Sequence, residues 1–330
     1  MNIKEEEIRP IVISNYNREV LYYEDIELFH SKFNNDLNIT KSCIACSSMQ
    51  NHVIFKKDGF DFSKCSDCDT VYVSSRPTDT QLSWWYTHSK SQLHSVEILN
   101  STQNARSGMY ERRVDLFLKR IDADVKTFLE IGTGNGQLLE IIQKKIKDSY
   151  VKGIDLNPQA VKACHDKGID CDILDINNMS EKINEKYDVI MAFEVLEHLP
   201  DPQESIKNIF DTLNKNGIFY GTLPNYHGYD FLEIGQIYRN LFAPTHLNYF
   251  NPKSLEILLK QSGFKEVEIF TDGILDVNLV ENYNKSKKIK LSEFWTMIYE
   301  DNKYQDFLSQ FQDLLSKHKL SGNMTFIARK

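Results

Sequence analysis

Residues 128–136 read FLEIGTGNG: an apolar run meets the carboxylate of Glu130, and glycines then alternate at Gly132, Gly134 and Gly136. Glycines permit backbone angles that other residues avoid, and here they also clear side chains from the path of a ligand. A second acid, Asp155, stands nineteen positions beyond Gly136 at the end of YVKGID. A carboxylate at that place can accept both hydroxyls of a ribose. Loop and acid together point to an adenosine-type ligand. The dinucleotide pattern G-x-G-x-x-G fails at Gln137 in either frame, and no G-K-[ST] follows. Glu130 would sit awkwardly beside a pyrophosphate, but it suits a ligand with a cationic head such as an amino-acid ammonium.

A second set of residues is built for metal. Cys43, Cys46, Cys65 and Cys68 have the spacing C-x2-C-x18-C-x2-C. Each pair forms a tight knuckle presenting two sulfurs, and tetrahedral zinc matches the four. With four protein ligands no position is left for water, so the expected zinc is structural rather than Lewis-acidic. Lys56, Lys57 and Lys64 lie between the pairs and could soften the thiolate charge.

The third set is histidines. A base is needed if a hydroxyl is to lose its proton to a reaction, and histidine titrates near neutrality. His246, in FAPTHLNYF, is the first choice as base, with His227 in LPNYHGYD behind it and His198 in EVLEH. Tyr226, Tyr229 and Asn225 are candidates to line an acceptor site, and Arg239 to bind an acceptor's phosphate or carboxylate. His165 reads as a surface residue of a helix.

The elements that must position these groups follow from periodicity. From residue 126 short apolar strands alternate with helices: KTFLEI, YVKGID, IDCDILD, YDVIMAF, GIFYGTLP, FKEVEIF and finally MTFIARK. YDVIMAF is nearly all apolar, as a strand buried on both faces should be. Helices are expected at GQLLEIIQKKI, at NPQAVKACHDKG with a stop at Gly168, at PQESIKNIFDTLNKNG closed by Gly217, and at NPKSLEILLKQSG. The fold class is α/β, a doubly wound, mostly parallel seven-stranded sheet with a small N-terminal zinc ribbon-like module. The expected organisation is an arm or small strand pair to about residue 39 within a 1–75 metal-binding module, a helical linker over 76–125, and the α/β domain over 126–330. A helical insertion at about 272–318 would cover the acceptor or make a subunit contact, giving a homodimer.

With these motifs in place, the chain resembles the class I methyltransferases that use S-adenosylmethionine. Their first motif, E/D-x-G-x-G-x-G, matches Glu130, Gly132, Gly134 and Gly136, and their ribose acid matches Asp155. The resemblance implies that Leu156 packs on the adenine, that Asp175 reads its amino group with Ile176 beside the ring, and that FEVLEHLPDP brings Glu194 to the cofactor and His198 to the boundary between cofactor and acceptor. The segment from the cysteines to TVYVSSRPT resembles the zinc module of sugar- and antibiotic-modifying methyltransferases. There a tyrosine on the next helix reaches the active site, and Tyr86 in SWWY is its counterpart, whereas Trp84 and Trp85 read as packing residues. Arg112 and Arg113 are candidates for the cofactor carboxylate.

The implied activity is methylation of a small polar acceptor, such as a sugar, a nucleotide-linked sugar or a phosphorylated or cell-surface polysaccharide precursor. Oxygen is the favoured atom, with C- or N-methylation of a sugar as the alternative. A zinc ribbon can also serve RNA or protein recognition, and a non-enzymatic cofactor-binding scaffold is a third reading. The formal charge of −8 disfavours nucleic acid as a partner. No N-P-P-Y or D-P-P-Y follows the fifth strand, and no Pro-Cys pair offers a nucleophile for a pyrimidine. With acid at the N-terminus and no run of eighteen apolar residues, no membrane span is expected and the cytoplasm is the expected location.

Overall fold

The computed structural model describes residues 11–34, 36–101, 103–121, 124–286 and 288–330. They divide into two compact units. One comprises the described residues of Met1–Thr102, Pro224–Leu255 and Phe270–Met324; the other comprises those of Gln103–Leu223, Glu256–Ile269 and Thr325–Lys330.

The second unit carries a seven-stranded sheet. Its strands are β1 Thr127–Ile131, β2 Tyr150–Asp155, β3 Asp170–Ile173, β4 Tyr187–Phe193, β5 Leu213–Pro224, β6 Glu266–Phe270 and β7 Asn323–Arg329. Each overlaps its expected apolar run, β5 starting earlier than expected, at Leu213. The order is β6-β7-β5-β4-β1-β2-β3, and the β1–β2, β2–β3, β1–β4 and β4–β5 pairs are parallel. Val189, Ile190, Met191 and Ala192 of β4 are buried, as its unbroken apolar run requires. The strand order reverses between β1 and β4, and a doubly wound sheet binds its ligand beyond the carboxyl ends of the strands at such a point.

Helices Gln137–Lys145, Pro158–His165 and Pro202–Thr212 join these strands. Asn157 and Asp201 cap the last two, each followed by a proline in the first turn. Gly168 takes a left-handed φ of +73° just past the second. The third stops at Thr212, short of the expected Gly217. Leu213 already pairs with Tyr187 in the sheet, Asn214 Nδ2 donates to Asp188 Oδ1 at 2.8 Å, and Asn216 makes the turn at φ +64°. Tertiary pairing overrides the helical pattern there.

The first unit begins with a helix, Ile11–Phe33, where an arm or strand pair was expected; residues 1–10 lie outside the described residues. Tyr22, Ile26, Phe29 and Phe33 fall at helical spacing and pack into one cluster. The strands Asn51–Lys57, Phe60–Cys65 and Val71–Val73 form an antiparallel sheet, completed by a fourth strand from far along the chain, Asn248–Tyr249. Trp85, on the helix Asp79–His88, is buried in the same core, as the packing reading expected, and Trp84 is half-buried beside it. The stretch 272–318 holds helices Asp276–Lys285, Glu293–Glu300 and Gln305–Lys317. They bury Val280, Ile298, Tyr299, Leu308 and Leu315 in this core while Phe294 stays exposed. Among the described residues no helix is long and apolar enough to cross a membrane.

Gly221 of β5 is a tight point: a Cβ there would lie 2.1 Å from the Ala192 carbonyl. Gly221→Ala should destabilise the protein by about 3 kcal/mol. Gly108→Ala, at an exposed helical site with open space around it, should stabilise it by up to ~1 kcal/mol. Thermal unfolding followed by circular dichroism checks the pair, and equal melting temperatures would refute the packing claim.

Candidate active site

Gly132, Gly134 and Gly136 follow β1 with φ of +67°, +56° and +72°. A side chain is costly at all three. Space adds a second reason at the outer two: a Cβ at 132 would strike Val195, and one at 136 would strike Cys164 and Ile169. Gly134 faces open space. Its N–H donates to Asp155 Oδ2 at 2.9 Å, and its carbonyl accepts from the Cys164 thiol at 3.4 Å. Asp155, at the end of β2, also accepts from the Asn157 N–H at 2.8 Å. Burial raises its pKa, against the pull of these backbone donors. Past the acid, Leu156 is 64% exposed, and Ile173 on β3 is 59% exposed. Two bare apolar side chains at the carboxyl edge are what an aromatic base would cover. Asp175 caps the short turn Ile176–Asn178 through the Asn177 N–H, and Ile176 itself is buried.

Glu130 is buried at the end of β1, accepting from Thr133 Oγ1 at 2.9 Å. Burial pushes its carboxyl up to about 8. Beyond β4, Glu194 takes a left-handed φ of +56°. Its Oε1 accepts from Thr222 Oγ1 at 2.7 Å and meets Arg113 Nη2 at 3.3 Å. Arg113, expected to bind the cofactor carboxylate, is thus paired to Glu194, and its guanidinium also lies 5.4 Å over the Phe193 ring.

Glu197 was not singled out from sequence, although it lies inside EVLEH. It is 2% exposed, and neither oxygen meets a hydrogen-bonding partner of good geometry among the described residues. Burial first, and the Glu194 charge second, hold its carboxyl well above the usual range. Its burial is what singles it out, and a linear pattern does not report burial. His198, on the turn Leu196–His198, keeps Nε2 3.9 Å from Glu197 Oε1. Glu194 and Glu197 therefore lie close to one another, and the Arg113 charge reaches Glu194, Glu197 and Glu130.

In the other unit, His246 is 9% exposed, and its Nδ1 lies 2.8 Å from the Asn240 carbonyl oxygen. A carbonyl can only accept, so Nδ1 carries the hydrogen and Nε2 is the basic nitrogen of the neutral ring. His227 is half-buried; burial lowers its pKa, against the charge of Asp69. Tyr226 is half-buried against the core, with its ring 5.6 Å from Phe231. Tyr229 is a core residue, its hydroxyl 3.2 Å from that of Tyr299. Asn225 is fully buried: its amide donates to the Ser321 and Lys319 carbonyls and its oxygen accepts from the His227 N–H. That is a structural task rather than a lining one. Tyr86 lies half-buried on the helix Asp79–His88.

The four cysteine sulfurs lie within 4.8 Å of one another, with Cys43–Cys68 at 3.5 Å and Cys46–Cys65 at 3.6 Å. A tetrahedron of metal–sulfur bonds near 2.3 Å has edges of about 3.8 Å, so the set fits a four-coordinate metal. The hydrogen bond between Cys43 and Cys68 holds the Cys43 thiol up and Cys68 down; keeping all four as thiolates this close would need a cation. The nearby lysines do not serve it. Lys57 donates to the Gln236 and Leu241 carbonyls, Lys64 pairs with Asp69, and Lys56 lies nearest Asp61. Relief comes instead from the Ala45 N–H at 3.4 Å from Cys43 Sγ and from the Thr70 hydroxyl at 3.0 Å from Cys68 Sγ.

A methyltransferase-domain family profile matches residues 103–269, half of the chain and nearly the whole of the unit holding the glycine loop. The chain belongs to that family. It is an S-adenosylmethionine-dependent methyltransferase. The ubiquinone biosynthesis O-methyltransferase of Pseudomonas fluorescens is 28% identical over 192 residues, 54% of this chain and 81% of the relative. That of Paraburkholderia phytofirmans is 33% identical over 169 residues, 46% of this chain and 72% of the relative. Among solved structures, the plantazolicin methyltransferase BamL, in complex with a triazolic desmethylPZN analog and SAH, aligns with a TM-score of 0.50 at 15% identity. That alignment covers 76% of this chain and 94% of that one, a likeness of fold.

The methyltransferase's own residues fit its cofactor: open glycines, an acid at the end of β2, bare apolar edge residues and buried carboxylates for a ligand bearing ammonium and sulfonium charge. Glu130 gives this fit a measurable sign. A cation bound beside it favours the ionised carboxylate, so binding below about pH 8 should release a proton. Affinity for S-adenosylmethionine should rise as pH climbs from 6 toward 8. Calorimetry at pH 7 in two buffers of different ionisation enthalpy should show the release, and Glu130→Gln should abolish it. Buffer-independent heats in the native protein would rule the linkage out.

Proposed function

We propose that this methyltransferase O-methylates a small polar acceptor, with sugars, nucleotide-linked sugars and phosphorylated or cell-surface polysaccharide precursors as the class to test first. The reading is carried by His246: with Nδ1–H committed to a backbone carbonyl, Nε2 can take a hydroxyl proton. The printed names of the relatives, O-methyltransferases, support oxygen as the acceptor atom. The resemblance of the cysteine module to that of sugar-modifying enzymes supports the acceptor class. The net charge of −8 weighs against RNA.

When bound, S-adenosylmethionine supplies a methyl already activated on a sulfonium. What the chain adds is positioning and a proton acceptor. Asp155 would accept from the ribose, Leu156 would cover the adenine with Asp175 at its amino group, and Glu130 and Glu194 would balance the positive charge. Oriented binding of the acceptor accounts for most of the acceleration. His246 is the proposed acceptor of the hydroxyl proton, His227, His198 and Tyr226 are the residues proposed to orient the acceptor, and Tyr86 is the proposed cofactor residue of its helix. Cys43, Cys46, Cys65 and Cys68 hold a structural zinc, closed to water.

Methyl transfer from radiolabelled cofactor to a panel of nucleotide sugars and sugar phosphates, with RNA and protein as controls, tests the class. Label should reach a hydroxyl oxygen of one sugar, and His246→Gln should lower kcat by about 10²–10⁴-fold at saturating acceptor. Label on RNA, carbon or nitrogen, or an undiminished kcat, would defeat the reading. Elemental analysis should find one zinc per chain, lost in Cys65→Ser together with thermal stability; a metal-free native protein of normal stability would remove the zinc.

A further inference from the structure

The loop that carries His246 is clamped in part by the N-terminal part of its own unit. Lys57 Nζ donates to the Leu241 carbonyl at 2.6 Å, Tyr22 to that of Ala243 at 2.8 Å, and Trp85 Nε1 to Thr245 Oγ1 at 2.9 Å. Past the histidine, Tyr249 donates to the His246 carbonyl at 3.1 Å, and the Val73 N–H donates to that of Leu247 at 2.9 Å. Asn248 and Tyr249 pair with Tyr72 and Val71 in the sheet of the cysteine module. Asn251 then donates to the Cys68 carbonyl at 3.0 Å while sharing reciprocal caps with Ser254.

One side chain in this set is out of place on ordinary expectations. Arg76, from the VSSRP that follows the last cysteine pair, is 5% exposed. Its Nε donates to the Val73 carbonyl at 3.0 Å; its Nη2 donates to the Asn248 Oδ1 at 2.5 Å and faces the Leu247 carbonyl at 3.4 Å. Burying a guanidinium is expensive, and an apolar residue would pack the same space at lower cost. What the guanidinium supplies that an apolar group lacks is a planar fork with fixed angles. That fork joins the strand Val71–Val73 to the two residues directly after His246.

We propose that Arg76 is a positioning residue for His246: its fork fixes the 247–248 backbone and so the direction in which the imidazole Nε2 points. This rests on the assignment of His246 as the base. The Asn240 carbonyl sets the tautomer and hence which nitrogen is basic; Arg76 sets where that nitrogen sits. Lysine keeps the charge but has no fork, so it cannot hold Val73, Leu247 and Asn248 in one plane.

Arg76→Lys, Asn248→Ala and His246→Gln, singly and in pairs, test the proposal. Arg76→Lys should lower kcat by about 10–100-fold, the scale of an ångström-sized misplacement, while leaving the calorimetric Kd for S-adenosylhomocysteine and the metal content unchanged. Asn248→Ala should act in the same direction and serves if Arg76→Lys folds poorly. Added to His246→Gln, Arg76→Lys should cost nothing more in kcat, because a base that is absent cannot be misplaced. The nitrogen-15 resonances of the His246 ring should shift in Arg76→Lys, which reports position independently of turnover. A wild-type kcat in folded Arg76→Lys, or a loss fully additive with that of His246→Gln, would overturn the positioning role alone. A wild-type kcat in His246→Gln would overturn the base assignment, and with it this inference.

Discussion

The hydrogen bond from Gly134 N–H to the Asp155 carboxylate is the constraint on which the ligand edge of the sheet depends. It links the bare loop after β1 to the acid that ends β2, and Gly134 makes it at a positive φ. The loop is closed from beneath as well. A Cβ on Gly153 would meet Thr133, and one on Gly136 would meet Cys164, so glycine is required both in the loop and under it. The acid that anchors the loop is already aligned, by backbone donors, before any ligand arrives. Alignment made during folding need not be made at binding, which lowers the entropic cost of recognition.

Charge is arranged by the same economy. Glu197 stands near Glu194, Arg113 lies against Glu194, and the Arg113 charge reaches Glu130 as well. Glu130 and Glu197 lie in a dry place, and burial holds both protonated near neutrality. A site of this kind discriminates by sign: a cationic head recovers the desolvation cost of the carboxylates, and an anionic one adds to it. The failure of the dinucleotide pattern at Gln137 and the acid at 130 are thus two expressions of one preference.

The strands were legible because short apolar runs alternate with helical patterns, and the ligand loop because glycine is favoured at positive φ. The cysteine quartet was legible because sulfur spacing is a local quantity. Other features depend on partners distant in sequence. The helix after Asp201 ends at Thr212 because Tyr187 captures Leu213, and nothing near Gly217 signals that. Ile11–Phe33 looked like an arm because its apolar residues form a narrow stripe whose partners, such as Phe60 and Trp85, come later. Glu197 reads like any charged residue until its burial is seen, and Asn225 reads like a lining residue until its amide is found turned to Ser321. Arg76 and Asn248 are 172 positions apart, so their contact leaves no periodic trace in either segment.

The cysteine sheet takes its fourth strand from Asn248–Tyr249, well after its other three. On the ribosome, Val71–Val73 therefore emerges long before its neighbour is translated. Through that interval three consecutive apolar residues, all buried at the end, form an open sheet edge of the kind that recruits stray strands. Synthesis of this enzyme thus contains a waiting period, and a chain interrupted within it would be sticky rather than merely inactive.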